Sequence, residues 1–367
     1  MSEITKGRKT LMAALLTAAV FACGRPVLAP LDLNYPAKPM ELPRDLAAHK
    51  WAQMEWWYYT GHLQGADGKS YGFELSFFQH RTDLDRYQGM RMDRAVPLVY
   101  MAHLALVDEG SGKYLRQGVA LPAGKGAYAS EDKYQVVLGK WSAGGDERVQ
   151  HISAASQKFG VDLELKPVKP AALHGQNGIV PKGEGLANYY MSYPRMEIKG
   201  TIVLAGAKIP VQGIGWFDHE YGYMGVTPDV GWDWFSIQLD DNTEYMIYII
   251  RRPDGKMEPL SRACRIDPTG KEDCLPISEV KVIPLGLWLS PHTNAAYPSG
   301  WRILVPAWQV DLVVAPKVAD QEFVFMDLGY WEGSCKVLGK PANGLAYVEL
   351  VGYSKSKMMG IIDPNKK

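Results

Sequence analysis

Short runs of alternating apolar and polar residues, each closed by a Gly, Asp or Pro turn, recur from Trp51 to Gly352 and leave little room for a helix. Trp56, Tyr58 and Thr60 alternate with Trp57, Tyr59 and Gly61, the turn Gly65-Ala66-Asp67-Gly68 follows, and residues 71–79 return as the second arm of a hairpin. Successive side chains of a strand point to opposite faces, so this is the period of half-buried strands. Further runs lie at 99–107, 135–138, 152–154, 161–165, 188–192 and 196–204, and a second set begins at Val211 and continues to Gly352. Many short strands at regular spacing predict an all-β antiparallel barrel or sandwich, and a closed barrel also removes exposed sheet edges. Eleven Trp and twenty Tyr suit pleated, half-buried surfaces. The stretch 167–186, rich in Pro and Gly, reads as a long loop over one face. The length implies two domains, with the boundary expected near residue 205: one domain over 51–205, the other over 206–360.

The first fifty residues read differently. Lys6, Arg8 and Lys9 precede an apolar run over 11–22 that ends at Ala22-Cys23. That is the order of a secretory leader, and the run is too short to span a ~30 Å hydrocarbon core; a buried helix of a cytosolic domain is the alternative. Val20-Phe21-Ala22-Cys23 also resembles a bacterial lipobox, which predicts a signal peptide over 1–22, lipidation of Cys23 and an exported, periplasmic, membrane-anchored lipoprotein. Without lipidation the protein is periplasmic or secreted. Residues 23–50, with Pro26, Pro30, Pro36, Pro39 and Pro43, read as a tether. Lys+Arg and Asp+Glu number 40 each, and no basic run stands out, which argues against nucleic acid as a partner. Cys264 and Cys274 bracket a turn containing Pro268-Thr269-Gly270, so paired strands could bring the sulfurs within disulfide reach in an oxidising compartment; two free thiols are the alternative. Cys335 is most simply a small buried hydrophobe.

Nucleotide loops, H-E-x-x-H and C-x-x-C are missing, which argues against nucleotide enzymes and ordinary zinc enzymes. No cofactor or metal is implied. The densest polar cluster in an apolar setting is Trp216-Phe217-Asp218-His219-Glu220-Tyr221. On a strand Asp218 and Glu220 face one way, and His219 faces the other with Phe217 and Tyr221. Buried charges are costly unless paired. The cluster is therefore either a proton-handling group at a cavity, with Asp218, His219, Glu220 and Tyr221 as catalytic candidates, or a satisfied polar latch between the domains. Trp232 and Trp234 share a strand face, and Trp56, Trp57 and Tyr58 form a similar group. Such aromatics line a cavity for an apolar ligand or fill a core. Of the scattered His62, His80, His103 and His174, His103 stands out for its apolar neighbours, and Arg195 is a candidate partner for a carboxylate.

Taken together these segments resemble the AttH-like, hydroxyneurosporene synthase (carotenoid hydratase) family. The resemblance rests on residues 55–63, 101–108, Asn188-Tyr189-Tyr190-Met191-Ser192-Tyr193-Pro194-Arg195, 216–221, Gly231-Trp232-Asp233-Trp234-Phe235, Tyr330-Trp331-Glu332-Gly333 and 347–353, in that order. It implies two consecutive lipocalin-like barrels, an apolar ligand, and Tyr190, Trp216, Tyr248 and Trp331 among its ligand-binding residues, with Trp56, Trp57, Tyr58, His103, Arg195, Trp232 and Trp234. In the family's hydratases the acid is an Asp two residues after a Tyr on the strand following Gly231–Phe235; here residues 245–251 offer no carboxylate, so Asp218 must substitute or the chemistry is absent. The exported members lie beside ABC-transporter components. The expectation is an exported carrier for an isoprenoid- or lipid-like ligand, linked to such a transporter, with a carotenoid-hydratase-like enzyme or related hydrolase as the alternative.

Overall fold

The computed structural model describes residues 38–354 except 85, 88–89, 92–95, 125, 184–185, 224–230, 253 and 327, and describes backbone alone at 86, 87, 90, 91, 183 and 186. The leader and Cys23 lie outside the described residues. Among those residues the regular structure is strands and a few single turns of 3₁₀ helix. They form two large antiparallel sheets and two small two-stranded ones, Leu287–Leu289 with Ala296–Pro298 and Arg86–Tyr87 with Met90–Arg91. In the first, neighbours run Lys113–Pro122, Leu98–Asp108, Ser70–Arg81, Met54–Gly65, Ala207–Gly222, Leu186–Leu204, Phe159–Pro167, and on through shorter strands to Ala127–Ala129. This sheet curls into a nearly closed barrel of the lipocalin type. The second runs Glu272–Pro276, Arg262–Ile266, Glu244–Arg251, Gly231–Leu239, Gly344–Val351, Leu328–Lys340, Val310–Pro316, Trp301–Val305 and Lys281–Pro284, and forms a half-barrel.

Alternation assigns the cores. Trp57, Tyr59, Phe73, Phe77 and Phe217 fill the first barrel, and Phe235, Ile247, Trp301, Trp331 and Val348 fill the second. The opposite faces of the same strands meet in a layer between the sheets, where Tyr58, Tyr190, Trp216, Trp234 and Tyr347 pack together. Glycines let the sheets approach: a Cβ on Gly118 would stand 2.3 Å from the Phe325 ring, and one on Gly72 would stand 2.8 Å from Ser334 Cβ.

Three sequence expectations change. The sheets exchange after Gly222, not near residue 205, because Leu186–Leu204 and Ala207–Gly222 are two arms of one hairpin. Its turn, Ala205-Gly206, has both φ values positive, the signature of a tight hairpin rather than of a domain end. Within the expected tether, residues 38–50 pack on the barrel: Leu46, Ala47 and Ala48 are buried, and Trp57 Nε1 donates to Leu46 O at 3.0 Å. The stretch 167–186 holds short strands, Ala172–Leu173 and Ile179–Gly183, paired to Leu186–Leu204. Cys264 and Cys274 sit opposite each other on paired strands and are joined by a disulfide, and Cys335 is buried and free.

Candidate active site

The pleat of Ala207–Gly222 divides its polar cluster. His219 and Tyr221 point into the first barrel, whereas Trp216, Asp218 and Glu220 point toward the second sheet. Strand register then lays a row of polar residues across the first sheet: His103, Ser76, Tyr58, Asp218 and Ser192 are successive partners on five neighbouring strands. Glu332, Glu349, Trp234 and Tyr248 form the corresponding row on the second sheet.

The two rows are stitched by hydrogen bonds. Tyr58 Oη donates to Glu332 Oε1 at 2.7 Å. Ser76 Oγ and Tyr330 Oη donate to Glu74 Oε1 at 2.7 and 3.2 Å. Trp232 Nε1 donates to Glu349 Oε2 at 2.7 Å. Asp218 accepts from Tyr190 Oη at 2.7 Å, Ser192 Oγ at 2.5 Å and Trp216 Nε1 at 2.6 Å. Since Tyr330 gives its proton to Glu74, its 2.8 Å contact with His103 Nδ1 requires the imidazole to donate there, which leaves Nε2 bare.

Four carboxyls thus lie in one buried layer with no Lys or Arg against them among the described residues, and their titration follows. Burial pushes Glu74 up to about 8, with the Glu349 charge adding to it and the Ser76 bond opposing. Burial raises Glu349 to about 7 against its Trp232 bond. Burial, then the charges of Glu349 and Glu74, hold Glu332 well above the usual carboxylate range. Asp218 is raised by burial to about 6, since the Ser192 and Tyr190 bonds and the His174 charge offset part of that effect. Burial lowers His103 to about 3, so it is neutral. Among the described residues Glu74 Oε2, Glu332 Oε2, His103 Nε2 and Tyr114 Oη have no hydrogen-bond partner. An orphaned buried polar atom costs about 1–3 kcal/mol, and four in one layer mark a place built to meet something else.

On the inner face the buried carboxylate is instead fully bonded, although His219 Nδ1, Gln150 Nε2 and Tyr193 Oη have no partner among the described residues. Glu55 Oε1 lies 2.9 Å from both His219 Nε2 and His49 Nδ1, and Oε2 accepts from the His49 backbone at 2.8 Å and from Gln79 Nε2 at 3.2 Å. His49 stacks on Tyr221 with ring centres 3.6 Å apart. These ligand-type atoms of His49, Glu55 and His219 lie within 4.8 Å of one another, but the carboxylate's acceptor positions are already used. In a second such group, His174, Glu272 and Cys264, the sulfur is held in the disulfide.

Of the residues singled out in the sequence, Trp56, Tyr58, His103, Tyr190, Trp216, Trp232, Trp234 and Tyr248 come together in the inter-sheet layer with Asp218 and Glu220. Trp57 and Trp331 do not; they are core, and their indole N–H groups donate to backbone carbonyls. Arg195 instead pairs with Glu244 at 2.5 Å, beside buried Lys169 on the same carboxylate at 2.6 Å, which makes that trio the polar latch between the sheets. The barrel interior is filled by side chains, so the aromatics that share space with Asp218, Glu332 and Glu349 lie outside it. Glu74, Glu332 and Glu349 were missed, although each is a carboxylate in an otherwise apolar strand, and that anomaly was the available signal.

Residues 34–353 match the AttH-like family model. The chain belongs to the AttH-like family. A Nitrosomonas europaea protein assigned as AttH has a similar structure, with TM-score 0.79 and 30% identity, covering 89% of this chain and 100% of that one. Kievitone hydratase from Nectria haematococca shares the fold of this AttH-like protein with TM-score 0.68 at 15% identity, over 89% of this chain and 96% of that one. The dehydratase asqC of Emericella nidulans is 18% identical over 213 residues, 54% of this chain and 60% of that protein, so the match spans less than two thirds of that relative's length.

Proposed function

We propose that this AttH-like protein is a hydro-lyase that adds water to, or removes it from, an apolar isoprenoid- or lipid-like substrate held between the two sheets. The observation that carries the reading is the set of buried carboxyls with raised affinity for protons, two of which keep an oxygen without a partner. Acid–base chemistry needs groups whose environments push their proton affinities apart. At neutral pH Glu332 and Glu74 hold protons and Asp218 is largely ionised. Glu332 or Glu74 protonates the alkene carbon, or the hydroxyl that leaves. Asp218 takes the proton from the attacking water, or from the carbon next to the departing hydroxyl. The faces of Trp232 and Trp234 stabilise the cation that forms between these steps. The acids come from strands other than Glu244–Arg251, so the lack of a carboxylate over 245–251 does not remove the chemistry. The names of two related proteins, a dehydratase and a hydratase, speak of water lost and gained. We further propose that the leader and Cys23 place the protein on the outer side of a membrane.

The carrier reading rests on the aromatic lining. Four buried acids are an expensive lining for a site that only holds hydrocarbon. The test is turnover of apolar alkenes and tertiary or allylic alcohols in ¹⁸O-water, followed by mass spectrometry. Label incorporation or water loss is expected, with Glu332→Gln, Glu74→Gln or Asp218→Asn lowering turnover by about 10²- to 10⁴-fold while the variants stay folded. A stoichiometric apolar molecule that co-purifies unchanged, with no turnover and no sensitivity to these substitutions, would install the carrier in its place.

A further inference from the structure

A chain of short hydrogen bonds leads from Asp218 away from the inter-sheet layer and toward the surface. His174 lies between the short strands Ala172–Leu173 and Ile179–Gly183. Its Nε2 is 2.7 Å from Ser192 Oγ, which in turn donates to Asp218 Oδ1 at 2.5 Å. Its Nδ1 is 2.5 Å from Glu272 Oε1. His174 and Ser192 are buried, but the Glu272 side chain keeps 16% of its surface exposed. Glu272 belongs to the second sheet, on the strand that the Cys264–Cys274 disulfide ties to its neighbour. The chain therefore crosses between the sheets, and each member is within hydrogen-bond distance of the next.

We propose that Ser192, His174 and Glu272 form a proton relay between Asp218 and solvent, an inference that rests on reading Asp218 as a proton-handling group. In the outward direction the Asp218 O–H bond breaks and a new O–H bond forms at Ser192, whose own proton moves to His174 Nε2. The imidazolium so formed sits against the Glu272 carboxylate, through which its Nδ1 proton leaves to water. The inward direction is the same path reversed. Burial disfavours the His174 charge, but the charge of Glu272 and its hydrogen bond outweigh burial and raise the imidazole above its ordinary value, so the proton is shared rather than trapped at one end. The other charge that acts on His174 besides Asp218 is Glu220, itself paired with Lys182 at 2.6 Å, and the Tyr190 ring packs 4.5 Å away. Across the interface Asp218 is coupled to Glu332 and Glu349, with Tyr58 opposite it on its own sheet.

Carboxylate, imidazole and hydroxyl in this order also form the connectivity of an acyl-transfer triad. The Ser192 hydroxyl, however, is fully buried and bonded to a carboxylate whose charge opposes an alkoxide. That favours relay over nucleophile.

The test is an infrared pH titration of the whole purified protein, with the Asp218 carboxyl band assigned by its loss in Asp218→Asn. The midpoint is expected near about 6 in the unsubstituted protein. Glu272→Gln removes the charge that holds the imidazolium and is expected to raise the Asp218 midpoint by about one pH unit, a roughly 10-fold shift in proton affinity. The through-space part of that shift survives in Ser192→Ala, so the path is read from rate: in Ser192→Ala the Asp218 band is expected to follow a rapid pH jump about 10-fold or more slower, and Ser192→Thr, which keeps a hydroxyl, is expected to restore the rate. An Asp218 midpoint blind to Glu272→Gln in folded protein overturns the relay, and so does a pH-jump rate that Ser192→Ala leaves unchanged. Labelling of Ser192 by a fluorophosphonate overturns it in favour of a nucleophile. None of these readings uses turnover, so failure of the hydro-lyase assignment is told apart from failure of the relay.

Discussion

Glu55, on the barrel side of Met54–Gly65, and Glu332, on Leu328–Lys340 of the other sheet and bonded to Tyr58 on the inter-sheet side of that same first strand, are both fully buried carboxyls held in opposite ways. On the barrel side every acceptor position of Glu55 is occupied, two of the partners are imidazoles, and the surroundings are core aromatics. Burial raises its affinity for a proton, but the charge of His49 and the bond from His219 outweigh burial and hold it below the usual range. On the inter-sheet side Glu332 has one donor, a bare Oε2, and two more carboxyls for neighbours. The difference separates a carboxylate that ties elements together from an acid that stores a proton. His219 and Asp218 are adjacent in sequence and fall on opposite sides of this divide.

The largest effect that would break the comparison is on stability. Removing one partner of a buried charge network strands the others, at about 3–5 kcal/mol. Glu55→Ala is therefore expected to lower the urea midpoint by that equivalent without changing the m-value, since residues 38–50 lose their tie to the barrel. Glu332→Gln replaces a protonated acid with a neutral group of the same shape and is expected to stay within about 1 kcal/mol of the parent. If the order were reversed, Glu332 would be the tie and Glu55 the spare.

Why one side was legible and the other was not follows from the period. Alternation alone sends Asp218 and Glu220 to one face and His219 and Tyr221 to the other, and the structure keeps that division. It also marks the hairpins, the two sheets and the turn that joins Cys264 to Cys274. It carries no information about which face of one sheet meets which face of the other. Tyr58 and Glu332 are 274 residues apart, and Tyr330 and Glu74 are 256 apart, so their pairing depends on how the sheets dock. Trp57 and Trp56 look alike in sequence, yet one fills a core and the other lines the layer. The positive-φ turn at Ala205-Gly206 reads locally like any other break between strands, and only pairing shows that it stays within one sheet.

Smaller, and opposite in sign on the two sides, is the response to pH. Glu74 at about 8 and Glu349 at about 7 keep protons in the folded state that an unfolded chain has released above the ordinary value of 4.5. Stability therefore falls as pH rises from about 5 to about 8, by on the order of 3 kcal/mol for each. Glu55, held below its ordinary value, contributes stability that is present above about pH 4.5 and is lost as pH falls through its folded value. Urea unfolding at several pH values from 4 to 8 should give a maximum near about pH 5, and Glu74→Gln should flatten the alkaline limb and leave the acid limb alone. A stability that instead climbs steadily to pH 8 would mean that the inter-sheet acids are ionised in the folded protein.

The smallest expected effect tests whether the division is one of faces or of partners. Glu220 shares the inter-sheet face with Asp218, but it is satisfied: Lys182 lies 2.6 Å away, and Asn188 Nδ2 donates to the same oxygen at 2.7 Å. Lys182 also reaches solvent, with 21% of its side chain exposed, so water screens the pair. Glu220→Gln should therefore lower stability by at most about 1 kcal/mol and leave hydro-lyase turnover within a few-fold of the parent, where Asp218→Asn loses two to four orders of magnitude. Parallel turnover and unfolding measurements on the two variants decide the point. Equal losses of turnover would make the whole face the catalytic unit; the expected gap would show that what distinguishes an acid here is the lack of a cation beside it, two residues along the same strand.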